Sequence, residues 1–215
     1  MNVIRPGSLS VTAAADSQRM NFDSRNEQII TQKVRINDVF IGDSNIRFWD
    51  LQLYFRESDK KMINRGIEGD TPLFIAKRFE ADVIQLQPDT CVYQAGAAEL
   101  VKLDGNIWMA EQPLPEEKVI KNITDGIKSV AELCRKNKIR FVVCSLMPQQ
   151  QYQNTILKVN KKIENISEKT EMVFLDVYKY FVDEHGKIKE LFSDDGVSLN
   201  PAGYKYFTEL IYEYV

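Results

Sequence analysis

The chain has 215 residues, 44% of them apolar, which suffices for one well-buried core and is too short for two typical domains. Its 28 basic and 31 acidic residues leave a net charge of -3, and no basic run interleaved with aromatics occurs, so no nucleic-acid partner is expected. No stretch approaches the roughly 18 apolar residues of a membrane span. The N-terminus lacks the apolar core of a secretion signal, so a chain starting naturally at Met1 is expected in the cytoplasm.

Residues 1–36 are polar, rich in Ser, Asn and Gln, and weakly periodic. They read as an N-terminal arm or extension, packed on the remainder or partly disordered, with 37–215 as the domain itself. From residue 37 onward strand and helix patterns alternate. Short, often β-branched apolar runs predict strands at Asp38–Gly42, Lys61–Asn64, Asp89–Gln94, Ile139–Leu146 and Glu171–Val177. Val119, Ile120, Ile123, Ile127, Val130 and Leu133 recur at helical spacing, as do Ile156, Val159, Ile163 and Ile166. A last helix is expected after Asn200-Pro201, with Asn as N-cap and Pro in the first turn. The stretch Val101–Glu117 has no regular period and carries Trp108, Met109 and two prolines, so it reads as a surface loop or a pocket wall.

This order predicts a three-layer α/β/α sandwich around a five-stranded parallel sheet. Right-handed crossovers put every strand's carboxyl end on one edge, gathering Ser44, Gly66 and Gly96 where open α/β sheets bind ligands. Cys91 and Cys144 fall in strand-like runs and Cys134 on a helical pattern. Their odd number and the absence of CxxC spacing make them reduced core residues rather than a disulfide framework. A single histidine, His185, argues against a histidine-built zinc site. No Walker or GxGxxG sequence occurs and no cofactor is implied.

Two segments carry chemistry. Gly42-Asp43-Ser44 places a serine where a strand hands over to a helix, with backbone N–H groups pointing outward that could hold an oxyanion; taken alone, it reads first as a plain N-cap serine. In MINRGIEGDTPL (62–73), Gly66 and Gly69 let backbone approach a ligand closely, or simply make a loop.

Together, GDSN at 42–45, NRGIEGDT at 64–71, FVVCSLMP at 141–148 and DDGVSLNPAGYKYF at 194–207 resemble the blocks of the SGNH (GDSL-type) hydrolase family, over about residues 37–210. The resemblance implies an SGNH-type, flavodoxin-like fold and serine ester hydrolysis. It makes Ser44 the nucleophile, gives the oxyanion hole to the backbone N–H groups of Ser44 and Gly66, and makes Asp195 the acid that orients the base. It also places Asp43, Asn45, Asn64, Gly96, Ala98, Glu99 and Ser198 around the site. The family's Gly-x-Asn-Asp block falls on Gly96-Ala97-Ala98-Glu99, so its oxyanion Asn is replaced by Ala98. The family's His falls on Ser198.

Losing one oxyanion donor costs about 10²–10³-fold in turnover. Losing the base costs more, because a serine hydroxyl is a poor nucleophile until its proton is taken. His185, Asp195 and Glu99 are the candidate substitutes for that base. The resemblance therefore implies a divergent acyl-ester hydrolase or transferase with an incomplete catalytic set. The alternatives are a silent member binding an acylated or carbohydrate-like ligand, and an interaction scaffold. The ligand is a small-molecule ester or acylated carbohydrate, its selection falling to the 97–118 loop and residues 149–154.

Overall fold

The computed structural model describes residues 3–9, 13–105 and 112–215, so Trp108 and Met109 lie outside the described residues. Five strands, β1 (Asp38–Gly42), β2 (Met62–Gly66), β3 (Thr90–Gln94), β4 (Arg140–Cys144) and β5 (Val173–Leu175), form one all-parallel sheet in the order β2-β1-β3-β4-β5. Each strand lies within or beside its expected run. The fifth is the most shortened.

Because side chains alternate along a strand, each strand feeds two cores. Val39, Ile41, Cys91, Tyr93, Phe141 and Val143 pack beneath α4 (Pro72–Asp82), α6 (Glu116–Lys136) and α7 (Gln153–Ser167). Phe40, Val92, Val142, Cys144 and Leu175 face α2 (Ser44–Arg47), α3 (Leu51–Tyr54), α8 (Tyr178–Phe181) and α9 (Pro201–Ile211). The result is the expected three-layer α/β/α sandwich. Helix α6 buries Val119, Ile123, Ile127 and Val130, the stripe its periodicity announced. Helix α9 starts as its sequence indicates, with Asn200 Oδ1 accepting the Gly203 N–H at 3.0 Å. The second core is aromatic. Trp49 stacks on Phe207 at 4.4 Å between centroids, meets Phe40 edge-on at 5.3 Å, and donates its indole N–H to Thr208. All three cysteines are free and buried.

The N-terminal segment, weakly periodic in sequence, holds a helix that packs on α4. Residues Ala13–Thr31 form a helix, α1, whose inner face is polar. Arg19 pairs with Asp23 and Asp82, and Asn26 donates to the Ala81 carbonyl and to Asp82. Arg78 completes this buried network by bridging Asp70 at 2.8 Å and Asp82 at 2.9 Å while donating to the Arg65 carbonyl. Phe22 and Ala15 add a small apolar contact with Ile67, but most of the polar buried face docks through charge pairing and hydrogen bonds.

A buried ion pair adds little over an apolar isostere, but removing one partner strands the other in low dielectric. Arg78→Met leaves Asp70 and Asp82 short of a cation. It is expected to cost about 3–5 kcal/mol, measured by urea unfolding beside the unchanged protein.

Candidate active site

The chain builds outward from β1 to β2 on one side and to β3 on the other, so the crevice between β1 and β3 is the point at which strand order switches. Asp43 leaves β1 into this crevice and is buried. Its Oδ2 accepts N–H groups from Gly96 at 2.9 Å and Ala97 at 3.2 Å, and its Oδ1 accepts that of Asn45 at 3.4 Å. Burial pushes its carboxyl up to about 6, against the opposing pull of those donors. This carboxylate ties the start of α2 to the start of α5 (Ala97–Leu100).

Ser44 is the first residue of α2 and partly exposed. Its Oγ makes no hydrogen bond among the described residues. Helix α2 is pressed onto β2 by Asn64, which donates to the carbonyls of Ile46 and Trp49. The contact is close enough that a Cβ at Gly66 would lie 2.3 Å from the Arg47 nitrogen. Beyond it, Ile67 to Asp70 form a turn closed by Asp70 N–H to the Ile67 carbonyl at 3.2 Å, with Gly69 at φ +74. That left-handed third position suits glycine. On the far side Gln150 N–H donates to the Gly196 carbonyl at 3.3 Å, stitching the loop after β4 to the loop before α9.

These loops enclose a cleft of about 640 Å³. Ser44, Gly69, Ala98, Gln149, Tyr152 and Asp195 line it, together with Glu68, Ala97, Val101, Val197 and two further glutamines. No lysine, arginine or histidine lines it among the described residues. Asp195 Oδ1 accepts the N–H groups of Ser198 at 2.7 Å and Val197 at 2.8 Å and the Ser193 hydroxyl at 3.2 Å. Partial burial raises its carboxyl, but these donors and the Ser198 hydroxyl outweigh burial and hold it below the usual carboxylate range. Tyr152 donates to Asp104, and burial beside that carboxylate pushes the phenol up to about 12.

The structure thus gathers Ser44, Ala98 and Asp195 in one cleft and sets other expected site residues elsewhere. Gly66 does not line the cleft: its N–H donates to Asn64 Oδ1 at 2.8 Å, and its missing side chain makes room for α2. Glu99 is fully buried, bound by Asn122 at 2.6 Å and Lys102 at 2.8 Å, so it holds α5 to α6 and cannot reach Ser44 as a base. Asn45 is buried, its carbonyl taking the Tyr204 hydroxyl. Ser198 is partly exposed behind Asp195. His185 sits in the exposed Asp183–Lys187 turn beside Glu184, away from the cleft walls. Gly69, one of the two loop glycines noted in the sequence, lines the cleft, and Glu68 beside it was outside the expected set.

Asp43 supplies a test of this arrangement. A carboxyl raised from about 4 to about 6 on folding binds its proton more tightly in the native state. Its contribution to stability is therefore full below pH 4 and falls as pH rises to 6. The Asp43 side-chain carbon should titrate with a midpoint near pH 6 by NMR. The stability difference between the protein and Asp43→Asn should move against the unchanged protein by about 2 kcal/mol between pH 4 and 7.

The profile of the GDSL-like lipase/acylhydrolase family matches residues 40–206. A bovine (Bos taurus) relative, platelet-activating factor acetylhydrolase IB subunit alpha1, is 27% identical over 176 residues, covering 77% of this chain and 69% of its own. Among solved structures, a GDSL-like lipase from Bacteroides thetaiotaomicron superposes with a TM-score of 0.71 at 23% identity, over 89% of this chain and 97% of its own. An acetylxylan esterase from Geobacillus stearothermophilus, a catalytic mutant, superposes with a TM-score of 0.65 at 15% identity, over 84% and 95%. The match over most of its length makes this chain a member of the GDSL-like lipase/acylhydrolase family.

Proposed function

We propose that the cleft beside Ser44 binds a neutral ester of a short acyl group, carried on a sugar or similar alcohol, without using Ser44 to hydrolyse it. One observation carries this reading: the walls around Ser44 offer no imidazole or amine, and nothing accepts a hydrogen bond from its Oγ among the described residues. Attack on an ester carbonyl requires the Oγ proton to move to a base as the C–O bond forms. The carboxylates on the wall are Glu68 and Asp195. Carboxylates with reference values near 4 take a hydroxyl proton poorly at neutral pH, and Asp195 is held lower still by its donors. In the family pattern the base would be a histidine at position 198, where this chain has Ser198.

Binding groups remain. The N–H of Ser44, at the first position of α2, has no helical acceptor. The Gly69 N–H makes no hydrogen bond among the described residues. Both border the cleft, so the pair takes the role expected of Ser44 and Gly66, receiving the ester carbonyl oxygen. The side chains of Gln149, Gln150 and Gln151 supply paired donors and acceptors suited to hydroxyl groups, and Ala97, Val101 and Val197 supply apolar contact. With two carboxylates and no cation on its walls, the cleft disfavours anionic ligands. The bovine relative's name and that of the Geobacillus neighbour both specify acetyl esters, which supports a short acyl group.

A second reading is slow hydrolysis with Glu68 as base, favoured by its place on the same wall without a partner among the described residues.

p-Nitrophenyl acetate hydrolysis should be equal for the protein and Ser44→Ala, both near buffer background, while acetylated xylo-oligosaccharide should raise the melting temperature. Turnover abolished by Ser44→Ala would contradict the binding reading; its further loss in Glu68→Gln would assign the base to Glu68. Combining Ala98→Asn with Ser198→His should raise Ser44-dependent turnover by at least about 10²-fold.

A further inference from the structure

A second concavity lies away from the Ser44 cleft, along the open edge of the sheet. Strand β2 is the first in the sheet order, and Met62, Ile63 and Asn64 are only partly buried, whereas β1 and β3 are buried throughout. The groove over this edge measures about 830 Å³. One wall is the α1 face carrying Phe22, Arg25 and Ile29, the other runs from Arg47 to Gln52, and the floor is Met62–Arg65.

The floor carries unpaired backbone. Asp38 N–H donates to the Lys61 carbonyl, and Ile67 N–H to the Gly42 carbonyl. Backbone groups of a parallel strand alternate in direction, so residues 61, 63, 65 and 67 address β1 and residues 62, 64 and 66 address the edge. There the Gly66 N–H is taken by Asn64 Oδ1, and the Asn64 carbonyl by Arg65. The N–H and C=O of Met62 and the N–H of Asn64 have no partner among the described residues. This is the pattern that pairs with one residue of an added strand.

The groove is also cationic. Arg25, Arg47 and Arg65 line it against one carboxylate, Asp50, which is engaged in capping Leu53 N–H at 3.1 Å. Arg65 is 2% exposed and lies over the Phe22 ring; it donates to Asn26 Oδ1 at 2.6 Å and to the Asn64 carbonyl at 3.1 Å, makes no ion pair among the described residues, and keeps an unpartnered Nε. A buried guanidinium with a free donor beside a groove fits an incoming carboxylate. The adjoining hollow past Met62 adds Arg56 and Lys60. A second copy of this edge would set like charges against each other, so self-pairing is disfavoured.

We propose that this groove binds an extended acidic polypeptide segment of another protein, which pairs with β2 as a sixth strand and sets its carboxylates against Arg25, Arg47 and Arg65. Main-chain pairing would supply affinity and the arginines the choice of sequence. The proposal is independent of the chemistry at Ser44.

The test uses the whole chain and three fluorescein-labelled peptides. One alternates Glu and Val, one alternates Lys and Val, and one repeats the first with alternate amides N-methylated. The Glu–Val peptide is expected to bind, to slow hydrogen exchange at the Met62 and Asn64 amides, and to bind about tenfold or more weakly when N-methylated or replaced by the Lys–Val peptide. Arg25→Glu, at an exposed helical position, should weaken it comparably with an unchanged circular dichroism spectrum, while Ser44→Ala leaves it unaltered. No binding of the Glu–Val peptide, equal binding of the N-methylated or Lys–Val peptide, full displacement by sulfate at equal charge, or protection elsewhere than β2 would overturn the proposal.

Discussion

A carboxylate buried at the sheet's switch point holds this site together. Asp43 has left water and must be met by donors, and the donors it finds come from two different connections: Asn45 from the segment after β1, Gly96 and Ala97 from the segment after β3. Segments that are far apart along the chain are therefore fixed against each other by one side chain. Ser44 inherits its place from this, since it is the first residue of the helix that the carboxylate caps. Asn64 does the same work from the other flank, binding the carbonyls at the end of α2 while its Oδ1 holds Gly66. The framework positions a serine with care, whatever the serine then does.

The described groups around that serine include no imidazole or amine, which is what the binding proposal rests on. Asp195 faces the cleft with its carboxylate already occupied by two backbone N–H groups and a hydroxyl. Glu99 carries the charge that the family block would supply, yet turns inward to Asn122 and Lys102. The glutamines of the β4–α7 loop and the small side chains of α5 remain on the walls. On the proposed reading, the cleft keeps its shape and hydrogen-bonding capacity without a base at Ser44.

The elements legible in sequence were those whose burial is apolar. Strand β1 was read residue for residue because Val39, Phe40 and Ile41 form a continuous buried run, and α6 and α7 because their stripes repeat at helical spacing. Helix α1 was not legible, because its docked face is Arg19, Asp23 and Asn26, which look like solvent-facing residues until Asp82 is placed opposite them. The site was legible in part. The blocks bring Ser44 and Asp195 to one cleft, but a block cannot say which of two glycines lines it. Gly66 is consumed by Asn64 and by contact with α2, a three-dimensional fact that leaves Gly69 as the one on the wall. Glu99 was misplaced for the same reason: its partners, Asn122 and Lys102, are revealed only by packing.

The central claim is that Ser44 is positioned and not activated. The most direct measurement is intact-mass analysis after exposure to a fluorophosphonate, a probe that forms a stable bond only with a serine whose proton is being taken. No adduct above that of Ser44→Ala over hours is the predicted result. Stoichiometric labelling confined to Ser44 would contradict it and would require a base that acts on this hydroxyl.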